Sequence, residues 1–207
     1  MKALRAGILL GLLAACSGTA AELFLQPAGD ESLGFTISGS LNFFGQGPGN
    51  RVFDDFQLGA NGAISSVTWW GRSDAGGNAF QISFYTGGST PGSELATFNV
   101  TPTATNVSFG GPTLTRYEAS LGGTFNALGA TGYWISIFNS APDAIWSWVN
   151  AQDQGNALYQ EVGEVDYTTI RDRAFGLYSD TEVPEPASWL LAGTALVGVA
   201  LARRRRN

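Results

Sequence analysis

The chain has 207 residues, a net charge of −6 and no histidine. Without histidine there is no serine–histidine or cysteine–histidine nucleophile and no imidazole metal site. Between Glu22 and Val183 sixteen acidic residues stand against five arginines, a net charge of −11 that disfavours nucleic acid as a partner. This middle part, about 160 residues long, can bury a core without disulfides.

Residues 1–21 have the three parts of a signal peptide. Lys2 and Arg5 supply the positive start, and residues 7–15 form an apolar run too short to cross a bilayer. Thr19-Ala20-Ala21 supplies the small residues that precede a cleavage point. We therefore expect export and cleavage by signal peptidase.

The sequence is compatible with two cleavage sites. Cleavage after Ala21 would make Glu22 the first residue of the mature chain. The segment Leu13-Ala14-Ala15-Cys16 also fits a bacterial lipobox, in which Cys16, the only cysteine, would carry a lipid. Under the first reading the mature protein has no cysteine.

Residues 22–181 carry the pattern of an all-β domain. Short runs of β-branched and aromatic residues alternate with turn residues, among them Thr86–Gly92 and Gly122-Gly123. This pattern predicts one antiparallel β-sandwich or jelly roll. The predicted strands cover residues 64–70, 79–85, 95–100, 114–119, 133–138, 145–149 and 173–178.

Alternation along the strands also predicts the core. Side chains two residues apart share a face of a sheet. We expect a common inward set that consists of Phe80, Ile82, Phe84, Phe98, Tyr117, Ile135 and Ile137. Ser83 then points to the opposite face, where its removal costs little if it is exposed.

Four tryptophans are the candidate glycan-binding residues: Trp69, Trp70, Trp146 and Trp148. Aromatic rings can stack on the apolar faces of sugars, but they also fill the cores of sandwiches. Of the neighbours Trp69 and Trp70, one should face outward if the other faces inward. Trp146 and Trp148 should share a face.

The acidic residues offer weak candidates for a calcium site: Asp54, Asp55, Asp143 and Asp153. They lie in or beside glycine-, asparagine- and proline-rich segments, and loop carboxylates suit a hard cation. No EF-hand pattern is present, and a solvated acidic surface is the simpler interpretation. We predict no catalytic residue and no required cofactor. Glycoside hydrolysis needs only two carboxylates, however, so a secreted hydrolase stays an alternative.

The last 26 residues, 182–207, form a three-part tail. Pro184-Glu185-Pro186 precedes an uncharged apolar run over residues 187–202. A cluster of four arginines follows the run: Arg203, Arg204, Arg205 and Arg206. As a helix the run reaches about 24 Å, slightly short of the thickness of a hydrocarbon core. The arginines should form a cytoplasmic anchor by the positive-inside rule, which places the middle domain outside.

This tail resembles the PEP-CTERM sorting signal of Gram-negative bacteria. The resemblance implies that an exosortase recognises Pro184-Glu185-Pro186 and processes the membrane-anchored precursor. It also implies a cell-surface or matrix destination in a host that makes exopolysaccharide. We therefore expect a structural or polysaccharide-binding role, with a hydrolase or an adhesion scaffold without a defined ligand as alternatives.

Overall fold

The computed structural model describes residues 20–29, 34–42, 44–108, 113–152, 157–161, 164 and 166–180. Most of the predicted signal peptide lies outside these residues, and so does Asp153. The described residues contain no helix long and apolar enough to cross a membrane.

The whole sorting tail also lies outside the described residues. This applies to Pro184-Glu185-Pro186 and to the apolar run over residues 187–202. It applies equally to the four arginines predicted as the cytoplasmic anchor: Arg203, Arg204, Arg205 and Arg206. The membrane helix and the anchor therefore stay predictions from the sequence.

Thirteen strands make up the described part of the chain, and every pairing between them is antiparallel. In chain order they are β1 Ala21–Gln26, β2 Phe35–Ile37, β3 Asn50–Gln57, β4 Gly62–Ala75, β5 Phe80–Thr86, β6 Glu94–Val100, β7 Thr103–Ser108, β8 Thr113–Ala127, β9 Gly132–Asn139, β10 Ile145–Val149, β11 Ala157–Glu161, β12 Thr168–Ile170 and β13 Phe175–Ser179.

The strands form two sheets. One sheet has seven strands in the order β1-β13-β4-β10-β2, with β8 also paired to β4 and β7 paired to β8. The other has six strands in the order β12-β11-β3-β9-β5-β6. Their inner faces share one hydrophobic core, so the predicted all-β sandwich is confirmed.

The core has the predicted inward set. Phe80, Ile82, Phe84, Tyr117, Ile135 and Ile137 are buried, and Phe98 packs partly buried against them. The prediction of this face is therefore confirmed. Phe84 stacks on Phe125 with ring centroids 4.3 Å apart, so one close aromatic contact joins β5 of the six-stranded sheet to β8 of the seven-stranded sheet.

Ser83 requires a correction. It lies on the opposite face from Ile82, as alternation requires, but it is fully buried. Its hydroxyl shares a hydrogen bond of 2.7 Å with the hydroxyl of Thr97 on the neighbouring strand β6. The outer face of the six-stranded sheet is therefore partly covered, and Ser83 is not the exposed position that a simple two-sided pattern suggests.

Gly122-Gly123 does not form a turn between strands. β8 continues through this pair to Ala127, and the pairing register with β4 shifts between Ile64 and Ser66. Gly122 has φ +66°, a left-handed conformation that glycine adopts without steric cost. The pair therefore forms a β-bulge inside one long strand.

Candidate functional site

Three of the four candidate glycan-binding tryptophans are core residues, which corrects the prediction made from the sequence. Trp69, Trp146 and Trp148 have no exposed surface, so in this structure a glycan cannot reach them. Trp69 stacks on Tyr117 with centroids 5.6 Å apart. Trp146 and Trp148 share a face, as predicted, but that face is the inner one.

Trp70 lies on the outer face of the seven-stranded sheet and is partly buried. It packs beside a small buried cluster that includes Leu114, Val149 and Ala174. The opposite orientations of Trp69 and Trp70 follow from strand alternation. Trp70 is therefore the only one of the four candidates with accessible surface.

A second group of aromatic residues covers the outer face of the six-stranded sheet. We call it the outer aromatic cluster: Phe53, Trp134 and Leu158 are buried, and Tyr85 and Tyr167 pack partly buried against them. The Phe53 ring lies 5.4 Å from Tyr85 and 5.7 Å from Tyr167, in edge-on contacts. Two partly exposed tyrosine rings thus flank one buried phenylalanine.

Polar groups surround this cluster. The Tyr85 hydroxyl donates to a Glu94 carboxylate oxygen at 3.3 Å, and burial raises the pKa of Tyr85. Arg51 donates to the Gln81 side-chain carbonyl at 2.7 Å. Its guanidinium also lies 4.5 Å from the centroid of the Phe138 ring. Aromatic surface with amide, hydroxyl and charged groups around it is the chemistry that sugar recognition needs.

One buried hydroxyl of this face has no hydrogen-bond partner among the residues that the structure describes. Ser136 on β9 stands between Phe53 on β3 and Ser83 on β5 in the strand register, and its Oγ is buried without a partner. An unpaired buried hydroxyl costs free energy, and such groups are uncommon in folded proteins. The Ser136 hydroxyl therefore adds a polar group beneath the outer aromatic cluster.

A cluster of three acidic residues includes two of the four predicted calcium candidates. Carboxylate oxygens of Asp54, Asp55 and Asp172 lie within 4.8 Å of one another. Asp54 is buried, Asp55 is exposed and Asp172 is nearly buried. Asp143 is exposed, with φ +58°, in the turn before β10, and does not belong to this cluster.

Asp54 is held by hydrogen bonds from three parts of the chain. Its carboxylate accepts the backbone N–H of Arg173 at 2.6 Å and the Gln26 side-chain amide at 3.2 Å. It also accepts the backbone N–H of Asp55 at 2.9 Å. Burial raises its pKa well above the ordinary aspartate value, and the nearby charge of Asp172 raises it further.

Arg173 is the buried cation beside this cluster. Burial lowers its pKa to about 10, while Asp54 and Asp172 oppose the shift, so it stays charged at neutral pH. Its guanidinium donates to the Trp148 carbonyl at 3.4 Å and to the Asn150 side chain. The polar network therefore connects β3, the end of β1, the end of β10 and the start of β13.

The sequence did not reveal Asp172, Arg173 and Gln26 as part of this network. They are far from Asp54 in the chain, and no short motif contains them. The outward direction of Tyr85 follows from its alternation with the inward Phe84. The direction of Tyr167 does not follow from the sequence, since it precedes a strand of three residues that has no clear pattern.

A shallow cleft of about 410 Å³ lies on the outer face of the seven-stranded sheet. Hydroxyl and carboxylate side chains line much of it: Ser66, Thr103, Glu118, Ser120 and Asp180. Among the described residues, its lining includes none of the predicted candidates and no aromatic ring that could stack on a sugar.

Comparison with known proteins identifies the carboxy-terminal segment. The family model of the PEP-CTERM protein-sorting motif matches residues 182–206. No curated protein sequence matches the chain. The predicted tail is thereby confirmed, and it marks the chain as an exported protein whose membrane-anchored precursor an exosortase processes.

Proposed function

We propose that this protein is a structural, polysaccharide-binding component of the cell surface or extracellular matrix. The sorting tail supports delivery outside the cell, where the sandwich meets secreted polymers. The outer aromatic cluster carries the binding part of the proposal, because Tyr85 and Tyr167 offer partly exposed rings within a polar surround.

The chemistry of this surface fits a polysaccharide better than a nucleic acid. The rings can cover the apolar C–H face of a sugar, while Gln81, Glu94 and Arg51 can bond its hydroxyl groups. The net charge of −11 over residues 22–183 repels a polymer of phosphates. A neutral glycan avoids this repulsion.

A screen of purified residues 22–181 against a glycan array, with and without calcium, tests the proposal. Tyr85→Ala and Tyr167→Ala should each weaken binding at least several-fold, whereas Tyr85→Phe, which keeps the ring, should retain most of it. Tyr178→Ala is the matched control, since Tyr178 is a partly buried tyrosine on the outer face of the other sheet. If glycan binding is unchanged in both Tyr85→Ala and Tyr167→Ala, this face is not the binding site.

Two other functions have distinct outcomes in the same assay. Release of new reducing ends from a bound polysaccharide would identify a hydrolase. A properly folded domain that binds no glycan under any condition would favour an adhesion or scaffold module. Neither alternative has a structural observation that favours it over binding.

Cation binding by Asp54, Asp55 and Asp172 is a second candidate function. The favourable observation is the approach of their oxygens to within 4.8 Å. Like charges so close repel one another, and a bound divalent cation would relieve that repulsion. Calcium would then stabilise the sandwich where β3 meets the segment that leads into β13.

A further inference from the structure

The tail leaves the sandwich at the same place where the domain begins. Ala21 in β1 pairs with Ser179 in β13, and β1 lies at the edge of its sheet. Only four residues, 180–183, separate β13 from Pro184. At about 3.5 Å each they reach roughly 14 Å. The end of the sandwich that contains Ser179 is therefore held close to the membrane that anchors the tail.

Three loops in the described part of the chain lie at this end of the sandwich, and we call them the tail-side loops: residues 58–61, 87–93 and 128–131. The strand register places them at the same end as Ser179, because β4 begins there at Gly62 and runs antiparallel to β13 and β8. Two of these loops, 58–61 and 128–131, contact one another directly. Asn61 accepts the backbone N–H of Gly129 at 2.9 Å, and Leu58 accepts that of Ala130 at 2.8 Å.

The tail-side loops contain no ionisable residue, although the domain around them is strongly acidic. Their residues are glycine, alanine, leucine, serine, threonine, asparagine and proline. Leu128 stands at the tip with 58% of its surface exposed. The acidic residues Glu22, Glu94 and Asp180 belong to the strand ends behind the loops. An uncharged tip with an exposed leucine can approach an anionic membrane surface without repulsion between like charges.

The opposite end also has an exposed apolar side chain, Phe44 with 81% of its surface exposed, but it differs from the tail-side loops in its charged residues. Ala75 of β4 pairs with Ile145 of β10 at this end. The loop that contains Phe44 and the turn that contains Asp143 lie next to this pair. This end has Arg72, Asp74 and Asp143. β4 alone separates the two ends by roughly 40 Å.

From the short linker, the uncharged loops and the exposed leucine, we infer that the tail-side loops rest on the outward-facing lipid surface of the membrane while the precursor is anchored. The partner is the headgroup region of the bilayer. The opposite end then points away from the membrane, and the outer aromatic cluster stands sideways to it. This inference depends on the membrane-anchored tail and adds the orientation of the domain above it.

The test uses the exported protein purified with its tail from a host without exosortase, in a Cys16→Ser background. Single substitutions Leu128→Cys, Thr90→Cys and Phe44→Cys each carry a fluorophore, and Leu190→Cys reports on the tail. The protein is reconstituted in vesicles of phosphatidylethanolamine and phosphatidylglycerol with nitroxide-labelled lipids. Probes at 128 and 90 should be strongly quenched, and the probe at 44 should be quenched little.

Two matched substitutions sharpen the result. Asn61→Asp places a charge among the tail-side loops and keeps the oxygen that accepts the Gly129 N–H. Asn78→Asp places the same charge in an exposed loop at the opposite end. Asn61→Asp should reduce the quenching at position 128, less so in vesicles without phosphatidylglycerol, and Asn78→Asp should leave it unchanged.

The probe at position 190 distinguishes a wrong orientation of the domain from a wrong assignment of the anchored tail. If position 190 is quenched while positions 128 and 90 are quenched no more than position 44, the orientation is wrong and the anchor stands. If position 190 is not quenched, the anchored tail is wrong and the orientation falls with it. Cross-links between two copies at position 128, without quenching by lipid, would assign the surface to self-association and overturn the inference.

Discussion

The carboxylate of Asp54 accepts the backbone N–H of Arg173 at 2.6 Å across 119 positions of sequence. Asp54 points into the sandwich from β3, and Arg173 precedes β13, the last strand described. This contact ties the six-stranded sheet to the segment that completes the seven-stranded sheet. The hydrogen bond therefore stabilises the association of the two sheets, in addition to its place in the candidate cation site.

Removal of the Asp54 side chain should destabilise the domain. Asp54→Ala leaves the donors of Arg173, Gln26 and Asp55 without their acceptor, so we expect a loss of about 2–4 kcal/mol in the free energy of unfolding. Asp54→Asn, which keeps one acceptor oxygen, should cost less. Urea melts of residues 22–181 measure both. Asp166→Ala is the control: its side chain is exposed, in the segment before β12, and its loss should cost under about 0.5 kcal/mol. Equal losses at the two positions would contradict a buried role for Asp54.

Calcium should raise the thermal stability if the acidic cluster binds it. At a calcium concentration about 100 times the dissociation constant, the gain is about 2.7 kcal/mol, or roughly 5–10 °C in melting temperature for a domain of this size. Asp172→Asn should abolish the shift, whereas Asp143→Asn should preserve it, because Asp143 lies outside the cluster. Calorimetry with calcium and with EDTA checks this. A shift that survives Asp172→Asn would exclude the cluster as its source.

The sorting motif predicts a processing defect. Replacement of Glu185 by Ala should leave full-length precursor in the membrane if an exosortase reads the carboxylate between the two prolines. Immunoblots of membrane and medium fractions from a host with exosortase measure the ratio of precursor to processed protein. Asp180→Ala, which lies outside the matched segment and is exposed, is the control and should be processed normally. Normal release of the Glu185→Ala protein would show that this carboxylate is not the recognised group.

The tail also predicts a topology. The tail places four arginines in the cytoplasm: Arg203, Arg204, Arg205 and Arg206. A reporter fused after Asn207 then lies in the cytoplasm too, so we expect activity only from a reporter that works there. Fusions to alkaline phosphatase and to green fluorescent protein give opposite readouts. A strong phosphatase signal after Asn207 would mean that the carboxy terminus lies outside and that residues 187–202 do not span as predicted.

The sequence was informative where alternation was regular. The seven predicted strand segments fall within or overlap strands of the structure, because Phe80, Ile82 and Phe84 and their counterparts repeat every second residue. It was uninformative where that signal is weak. β7 is largely polar, and β2 and β12 have three residues each. In the sequence, Gly122-Gly123 has the pattern of a turn. Only the pairing of β8 with β4 shows that the strand continues through these two glycines.

The candidate site was harder to predict than the fold. Strand alternation gives the opposite directions of Trp69 and Trp70, but it cannot say which face of a sheet becomes the core. The composition of the segments around Asp54 and Asp55 predicts a calcium site there, but it does not reveal Asp172, which joins them because β3 passes near the start of β13. Contacts across more than a hundred residues leave no local pattern. The tail, by contrast, is a contiguous motif and was recognisable from residues alone.

The last prediction concerns the register of β5. Ile82 is fully buried in the shared core, between Phe98 and Ile137 in the register, so Ile82→Ala should cost about 2–5 kcal/mol through lost transfer energy and a residual cavity. Ser83 is also fully buried, but it contributes one hydroxyl hydrogen bond to Thr97. Its replacement by Ala should therefore cost about 0.5–1.5 kcal/mol, more than an exposed serine would.

Thr97→Ala separates the hydrogen bond from the burial of Ser83. Thr97 is exposed, and its hydroxyl is the partner of Ser83 at 2.7 Å. The double substitution removes both hydroxyls, so it should cost less than the two single losses added together, since neither polar group is then left unpaired. Denaturant melts of the three variants give the coupling energy. Strict additivity would mean that the two hydroxyls do not interact, and a loss at Ser83 equal to that at Ile82 would mean that the assigned inward face of β5 is wrong.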